Sequence, residues 1–191
     1  MINLCYIQAR GGSKRFPRKA LAEWNGHPMV GDAIMKARAT ALFNIVAVSS
    51  DDDEILSVAH RYGALPIWRS PETSNDSATD DDVAREVLGY FKDVDTVCKL
   101  YPCVPLLDQY NIIDTWYKLE QYVCDGVYGV DENGKDAGAL YMFKHSAWLA
   151  KKTINIVDGR FNWYKYRLPR VQDINYPGDL EIARHKAGLN G

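Results

Sequence analysis

The chain has 191 residues, 47% of them hydrophobic, which suffices for one sizeable buried core and is short for two, so a single domain over residues 1–191 is expected. Its 23 basic and 25 acidic side chains leave a formal net charge of -2, which argues against a bulk electrostatic grip on nucleic acid or on an anionic membrane; any anion site must be local. No apolar run approaches the roughly 18 residues needed to span a bilayer, and the N-terminal MINLCYIQAR lacks the layout of a cleavable signal, so the expected location is the cytoplasm.

Along the chain, the apolar run Leu4 to Ala9 ends at a glycine pair and predicts a strand buried on both faces, followed by a loop of a size to hold phosphate. Gly31 to Thr40 has apolar residues at helical spacing, Asn44 to Ser50 predicts a second buried strand, and Asp52 to Tyr62 a helix with acids in its first turn. Gly63 ends that helix, and Leu65 to Trp68 predicts a short strand. The polar stretch Ser70 to Thr79 predicts a loop before a helix from Asp80 to Phe91. Thr96 to Pro102 predicts a third long strand, with Asp108 capping a helix from Gln109 to Tyr122. Beyond it, Gly126 to Val130 and Ala139 to Phe143 predict strands, Val157 to Leu168 is mixed, and Gly178 to Ala187 predicts a closing helix. Strands alternating with helices over the first two thirds imply an α/β fold with a three-layer, mostly parallel, doubly wound sheet and a less regular C-terminal third. Cys5, Cys98, Cys103 and Cys124 match neither a CxxC redox pair nor a zinc knuckle and are expected to be buried free thiols in a reducing compartment.

The segment Arg10 to Lys19, RGGSKRFPRK, holds five cations and no acid within a chain that is slightly acidic overall. Gly11 and Gly12 allow a close backbone approach, Ser13 adds a hydroxyl donor, and Arg10, Lys14, Arg15, Arg18 and Lys19 offset the charge of a triphosphate. The loop follows the first strand, where open α/β sheets bind ligands. Neither GxxxxGK[ST] nor GxGxxG is present, so P-loop and dinucleotide-binding chemistry are unsupported. A solvated basic surface loop is the plain alternative.

Ile7 to Lys19, IQARGGSKRFPRK, closely resembles the IxARGGSKxxPxK signature of the cytidylyltransferases that make CMP-sialic and CMP-pseudaminic acids. Val48 to Ile55 (VSSDDDEI) is similar to that family's VSTDxxEI, and Arg69 to Thr79 (RSPETSNDSAT) to its RPxELsxDtAS. Leu100 to Leu106 (LYPCVPL) resembles LQPTSPL or LYPTAPF, Asp136 to Tyr141 (DAGALY) resembles DAGxFY, and Val171 to Leu180 (VQDINYPGDL) resembles VQDIDTPEDW. The landmarks occur in family order through nearly the whole chain; DAGALY and the Tyr-Pro form point to the pseudaminic branch more than the sialic one.

The resemblance implies a nucleotide-diphospho-sugar transferase fold, GT-A-like and Rossmann-type, and a reaction in which a sugar hydroxyl attacks the α-phosphorus of CTP and pyrophosphate leaves. Partners would be CTP and a nine-carbon sugar acid. By motif position, Ala9, Arg10, Gly11, Gly12, Ser13, Lys14 and Lys19 would bind the triphosphate, with Lys19 and Arg10 catalytic and Lys19 stabilising the transition state at the α-phosphate. Arg69 and Thr79 would hold the nucleotide, Tyr101 and Asp136 the sugar. Magnesium is the implied cofactor, with Asp173 and Asn175 as its candidate ligands at i and i+2 of an extended chain. Asp51, Asp52 and Asp53 form another acid cluster, more simply read as serving a helix dipole, and the four histidines carry no role.

Several positions depart from the family pattern. Ala20 replaces an Asn, Tyr101 and Leu107 replace the Gln and Arg of the sialic branch, and Asn175 replaces the second metal-site Asp. The family's dimerisation and sugar-lid segment is shortened near residues 126–136, where Asp131 to Lys135 (DENGK) predicts a tight hairpin, so the family's homodimer stays possible here but is not implied by the resemblance. Two alternatives stay open: nucleotidyl transfer to a different sugar acid or to a sugar or alcohol phosphate, and nucleotide binding without catalysis.

Overall fold

Residues 1–189 are described by the computed structural model. β1 (Asn3–Gln8) is apolar from Leu4 to Ile7, its stretch covered on both faces: Cys5 and Ile7 point into one core cluster, Leu4 and Tyr6 into the other. The basic loop and a 3-10 turn (Lys19–Leu21) lead to a small ribbon of β2 (Glu23–Trp24) and β3 (His27–Pro28). Asn25 and Gly26 form its tip with φ of 49° and 80°, the pair of positive angles that an Asn-Gly type I′ turn requires. No strand is expected here from sequence, since two residues are too few for a period of two to show.

The chain continues through α1 (Met29–Ala39), β4 (Ile45–Ser50), α2 (Asp53–Arg61) and β5 (Leu65–Trp68). The polar stretch expected to be wholly loop contains one helical turn, α3 (Pro71–Ser74), with proline at its start. α4 (Asp80–Tyr90) is opened by a capping box in which Thr79 and Asp82 bond each other's backbone, and α5 (Gln109–Gln121), after β6 (Thr96–Leu100), by the equivalent box of Asp108 and Asn111. β7 (Gly126–Val130) and β8 (Asp136–Lys144) form the expected hairpin; Gly134 has a φ of 77°, and the Asp131 amide bonds the Lys135 carbonyl at 2.8 Å. α6 (His145–Lys151), β9 (Trp163–Arg167) and α7 (Pro177–Ala187) complete the chain. α6 is a correction to the sequence reading, too short to show a helical period, and β8 begins earlier than expected, at Asp136.

One seven-stranded sheet runs in the order β5-β4-β1-β6-β8-β7-β9. β5, β4, β1 and β6 are mutually parallel, β8 is antiparallel to both its neighbours, and β9 lies parallel to β7. Because β8 is reversed against both neighbours, β7 and β9 run in the same direction as β6, and the mostly parallel, doubly wound expectation holds with β8 as the one reversed strand of the sheet. α1, α2 and α5 cover one face, α4 and α6 the other. α7 adds a separate cluster, with Leu180 and Ala183 packed on Trp24, Met29 and Cys103, which brings the C-terminal segment over the basic loop. All four cysteines are buried and free, and among the described residues no helix is long and apolar enough to cross a membrane.

Candidate active site

The strand order reverses between β1 and β6: β4 and β5 add on one side of β1, β6 on the other. Crevices form at such a point beyond the carboxyl ends of the strands. A cleft of ≈ 560 Å³ lies there, lined by Ala9, Arg10, Ser13, Lys14 and Lys19 from the loop after β1, Arg69 after β5, Thr79 before α4, Tyr101 after β6 and Asp173 before α7. Most of the residues singled out in the sequence thus meet on one surface. Gly11 and Gly12 form the bend between them.

Acids from other segments surround the basic loop. Arg10 and Lys14 both reach Asp76, at 2.9 and 2.6 Å, and Arg18 reaches Asp52 and Glu54 at 3.1 and 2.6 Å. Arg15 donates to Asn175 Oδ1 at 3.0 Å and lies over the Tyr176 ring, while Lys19 Nζ donates to the Ile174 carbonyl at 2.8 Å. The Gly11 amide does not face the cleft as expected: it donates to Asp51 Oδ1 at 2.8 Å. A Cβ at Gly11 would stand 2.6 Å from Asp52 Oδ2, whereas one at Gly12 would meet nothing within 4 Å. Gly11 is therefore required by close packing on Asp52, and Gly12 alone has the open approach that a ligand needs. Asp52 caps α2 through the Glu54 and Ile55 amides, so the acid cluster serves the helix and the loop.

Arg69 is 5% exposed, not the surface ion-pair residue its type would suggest. Its Nε donates to the Thr73 carbonyl at 2.8 Å and Nη2 bonds the same oxygen; burial lowers its pKa, opposed by Asp51. A guanidinium held this way lines the cleft with little rotamer freedom to lose. Leu107 and Ala20, the departures from the family pattern, are buried core residues. Cys103 also lines the cleft, but burial pushes its thiol up to about 12, which leaves it protonated and unreactive at neutral pH.

Asp173 stands exposed on the cleft rim, and Asn175 donates to its Oδ2 at 2.6 Å, so the two do share a face. Asn175 is absent from the cleft lining, because its amide is held between Arg15 and Asp173. Asp179, not foreseen, accepts from the Asn175 and Tyr176 amides at 2.8 and 2.7 Å and fixes the turn into α7. The donor set fits a magnesium held by one carboxylate, since that ion keeps waters and phosphate oxygens and needs only one or two protein carboxylates. Asp173 is the anionic ligand on offer.

Asp136 lies elsewhere. It accepts from the Gly138 amide at 3.0 Å and from Tyr141 Oη at 2.6 Å, and it lines a second cleft of ≈ 200 Å³ with Thr79, Asp80, Asp81, Tyr141 and Asn155. The two clefts adjoin along Thr79 and Asp80. Sequence reasoning missed the group at this junction. Lys99, 1% exposed in β6, donates to Asp80 Oδ2 at 2.6 Å, while Tyr101 Oη and Gln8 Nε2 donate to Asp80 Oδ1 at 2.6 and 3.0 Å. Burial alone would raise the Asp80 carboxyl; the Lys99 charge and the hydrogen bonds from Lys99, Tyr101 and Gln8 outweigh it and hold it below the usual carboxylate range. The available signal was a single lysine inside the apolar strand TVCKL, a charge that cannot be buried without a partner.

Comparison with known proteins agrees with this geometry. A cytidylyltransferase family model matches residues 4–151. Pseudaminic acid cytidylyltransferase of Campylobacter jejuni is 31% identical over 225 residues, with 96% of this chain and 95% of that protein covered. N-acylneuraminate cytidylyltransferase A of Danio rerio is 36% identical over 124 residues, covering 65% of this chain and 29% of that protein. Among solved structures, CMP:2-keto-3-deoxy-manno-octonic acid synthetase complexed with CTP superposes with a TM-score of 0.78 at 16% identity, covering 99% of both chains, and a cytidylyltransferase from Leptospira borgpetersenii also reaches 0.78, covering 100% of this chain and 88% of that one. The basic loop at the switch point and the match over most of its length together make this chain a member of the cytidylyltransferase family.

Proposed function

We propose that the protein transfers CMP from CTP to a nonulosonic acid of the pseudaminic or sialic type. An acceptor hydroxyl oxygen bonds the α-phosphorus, the bond from that phosphorus to the bridging oxygen of the β-phosphate breaks, and pyrophosphate leaves. The observation that carries this reading is the convergence of Arg10, Lys14, Lys19 and Arg69 on one cleft at the strand-order reversal. The Asp76 pairs of Arg10 and Lys14 are solvent-exposed and screened, so a triphosphate displaces Asp76 at little cost. Lys19, whose Nζ donates to the Ile174 carbonyl and not to a carboxylate, is free to shift onto the α-phosphate and stabilise charge as it develops there. Arg69 and Thr79 hold the nucleotide, Ser13 and the Gly12 backbone the phosphates.

Magnesium, held by Asp173 with Asn175 beside it, would supply charge neutralisation of the phosphate oxygens. The chain is a single cytidylyltransferase domain whose β7–β8 connection is a tight turn; the alignment with the Campylobacter relative runs over 225 residues against 191 in this chain, in keeping with a shortened insertion. Four buried free thiols fit a reducing compartment such as the cytoplasm. The test is pyrophosphate release with CTP, magnesium and a panel of pseudaminic, N-acetylneuraminic and legionaminic acids. Release dependent on one acid, and lowered about 100-fold or more by Lys19→Ala, supports the reading. CTP binding without release with any acid overturns it.

A further inference from the structure

Asp80 stands where the two clefts meet and contributes to the lining of both. An ionised carboxylate has about four acceptor positions. Tyr101 and Gln8 use two on Oδ1 and Lys99 uses one on Oδ2, and the side chain remains 41% exposed. Room therefore remains for one further donor, from the cleft side. Lys99 cannot supply a ligand contact itself: its ammonium is enclosed, 3.9 Å from the Tyr141 ring centroid and 4.9 Å from that of Tyr101. Its charge keeps Asp80 ionised, so Asp80 accepts hydrogen bonds and does not donate them. A carboxylate held below its usual range is also a poor proton acceptor, which argues against a general-base role.

The surroundings set the sign of the ligand group. The smaller cleft carries Asp80, Asp81 and Asp136, while the larger carries Arg10, Lys14, Arg15, Lys19 and Arg69. Asp81 accepts from the Ile154 amide at 2.6 Å and the Thr153 hydroxyl at 2.8 Å, and Asp136 from Tyr141 and Gly138; both line the smaller cleft only, whereas Asp80 lines both clefts. An anionic acceptor spanning the junction meets repulsion at one end and attraction at the other.

Resting on the cytidylyltransferase reading, we propose that Asp80 is a specificity-determining residue for the acceptor and Lys99 the positioning residue behind it. Asp80 takes a hydroxyl or amide N–H of the acceptor at the junction, which directs the hydroxyl-bearing part into the Asp136 cleft and leaves the acceptor's carboxylate facing the basic loop.

The test uses Asp80→Asn and, because that variant leaves Lys99 buried without its charge partner, also Asp80→Asn/Lys99→Met. With CTP and the acid that supports turnover, the acceptor KM rises about 10- to 100-fold in both, as for a lost hydrogen bond to a charged group, while the CTP KM stays within about twofold. An unchanged acceptor KM in a folded double variant, or a parallel rise in the CTP KM, overturns the proposal. A second arm needs no turnover: calorimetry with CMP and with CMP-N-acetylneuraminate. Asp80→Asn weakens the CMP-sugar and spares CMP; equal loss of both, or a wild type that does not distinguish them, overturns it. Absence of pyrophosphate release by the wild type overturns the cytidylyl-transfer reading instead, leaving the calorimetric arm to decide the role of Asp80.

Discussion

Replacing Asp80 by alanine and Lys99 by methionine should have unequal costs, although each removes the same ion pair. In Asp80→Ala the ammonium left behind is 1% exposed, and removing one partner of a buried pair costs about 3–5 kcal/mol. In Lys99→Met the thioether chain fills the lysine's volume, and the carboxylate left behind is 41% exposed and keeps its Tyr101 and Gln8 donors, so the cost falls to about 1 kcal/mol. At roughly 2–4 °C per kcal/mol for a domain of this size, the Tm falls by about 6–20 °C in the first variant and by about 2–4 °C in the second. Thermal and urea unfolding at neutral pH measure both. The pH response adds a sign. Burial lowers the Lys99 pKa from its ordinary 10.5, so between the folded value and 10.5 the unfolded chain binds more protons and stability rises with pH. The Asp80→Ala deficit should therefore shrink as pH is raised, because the stranded lysine escapes its penalty by losing a proton. Equal costs, or a deficit indifferent to pH, would refute the account of the pair.

Two further outcomes follow from the loop and the rim. Gly11→Ala forces a Cβ to within 2.6 Å of the Asp52 carboxylate that caps α2, and should destabilise by about 1–3 kcal/mol in urea unfolding. Gly12→Ala, with nothing within 4 Å, should stay within about 0.5 kcal/mol while weakening CTP binding; matching costs for the two glycines would contradict the assigned roles. Asn175→Asp places a second carboxylate beside Asp173, where the amide now donates at 2.6 Å. The magnesium concentration for half-maximal pyrophosphate release should fall roughly tenfold, since ligand charge sets affinity. An unaltered requirement would remove Asn175 from the metal's surroundings.

The elements legible in the sequence were those with a long period or a chemical cap. Apolar runs identified β1 and β4, and β6 despite its one lysine, Asp108 announced α5, and five cations about a glycine pair marked the phosphate loop. Chemistry of that kind is local and needs no knowledge of neighbours. The short ribbon at Asn25-Gly26, the single turn α3 and the helix α6 left no comparable trace, because their lengths are below the period that would reveal them.

What only the tertiary structure decided was which groups meet. The sequence identifies Arg10 and Lys14 as cations but not that Asp76 pairs with both, and Gly11 as permissive but not that Asp52, far along the chain, is what it makes room for. Asp136 carries a family motif, yet the β7–β8 hairpin places it in the smaller cleft, beyond Asp80 from the phosphate loop. Lys99 was visible as a charge in a buried strand, which dictates that a partner exists; only the packing of α4 on β6 makes that partner Asp80. Local spacing fixes the type of group a chain can offer, and pairings between distant segments follow from sheet order and helix packing, which no local pattern encodes.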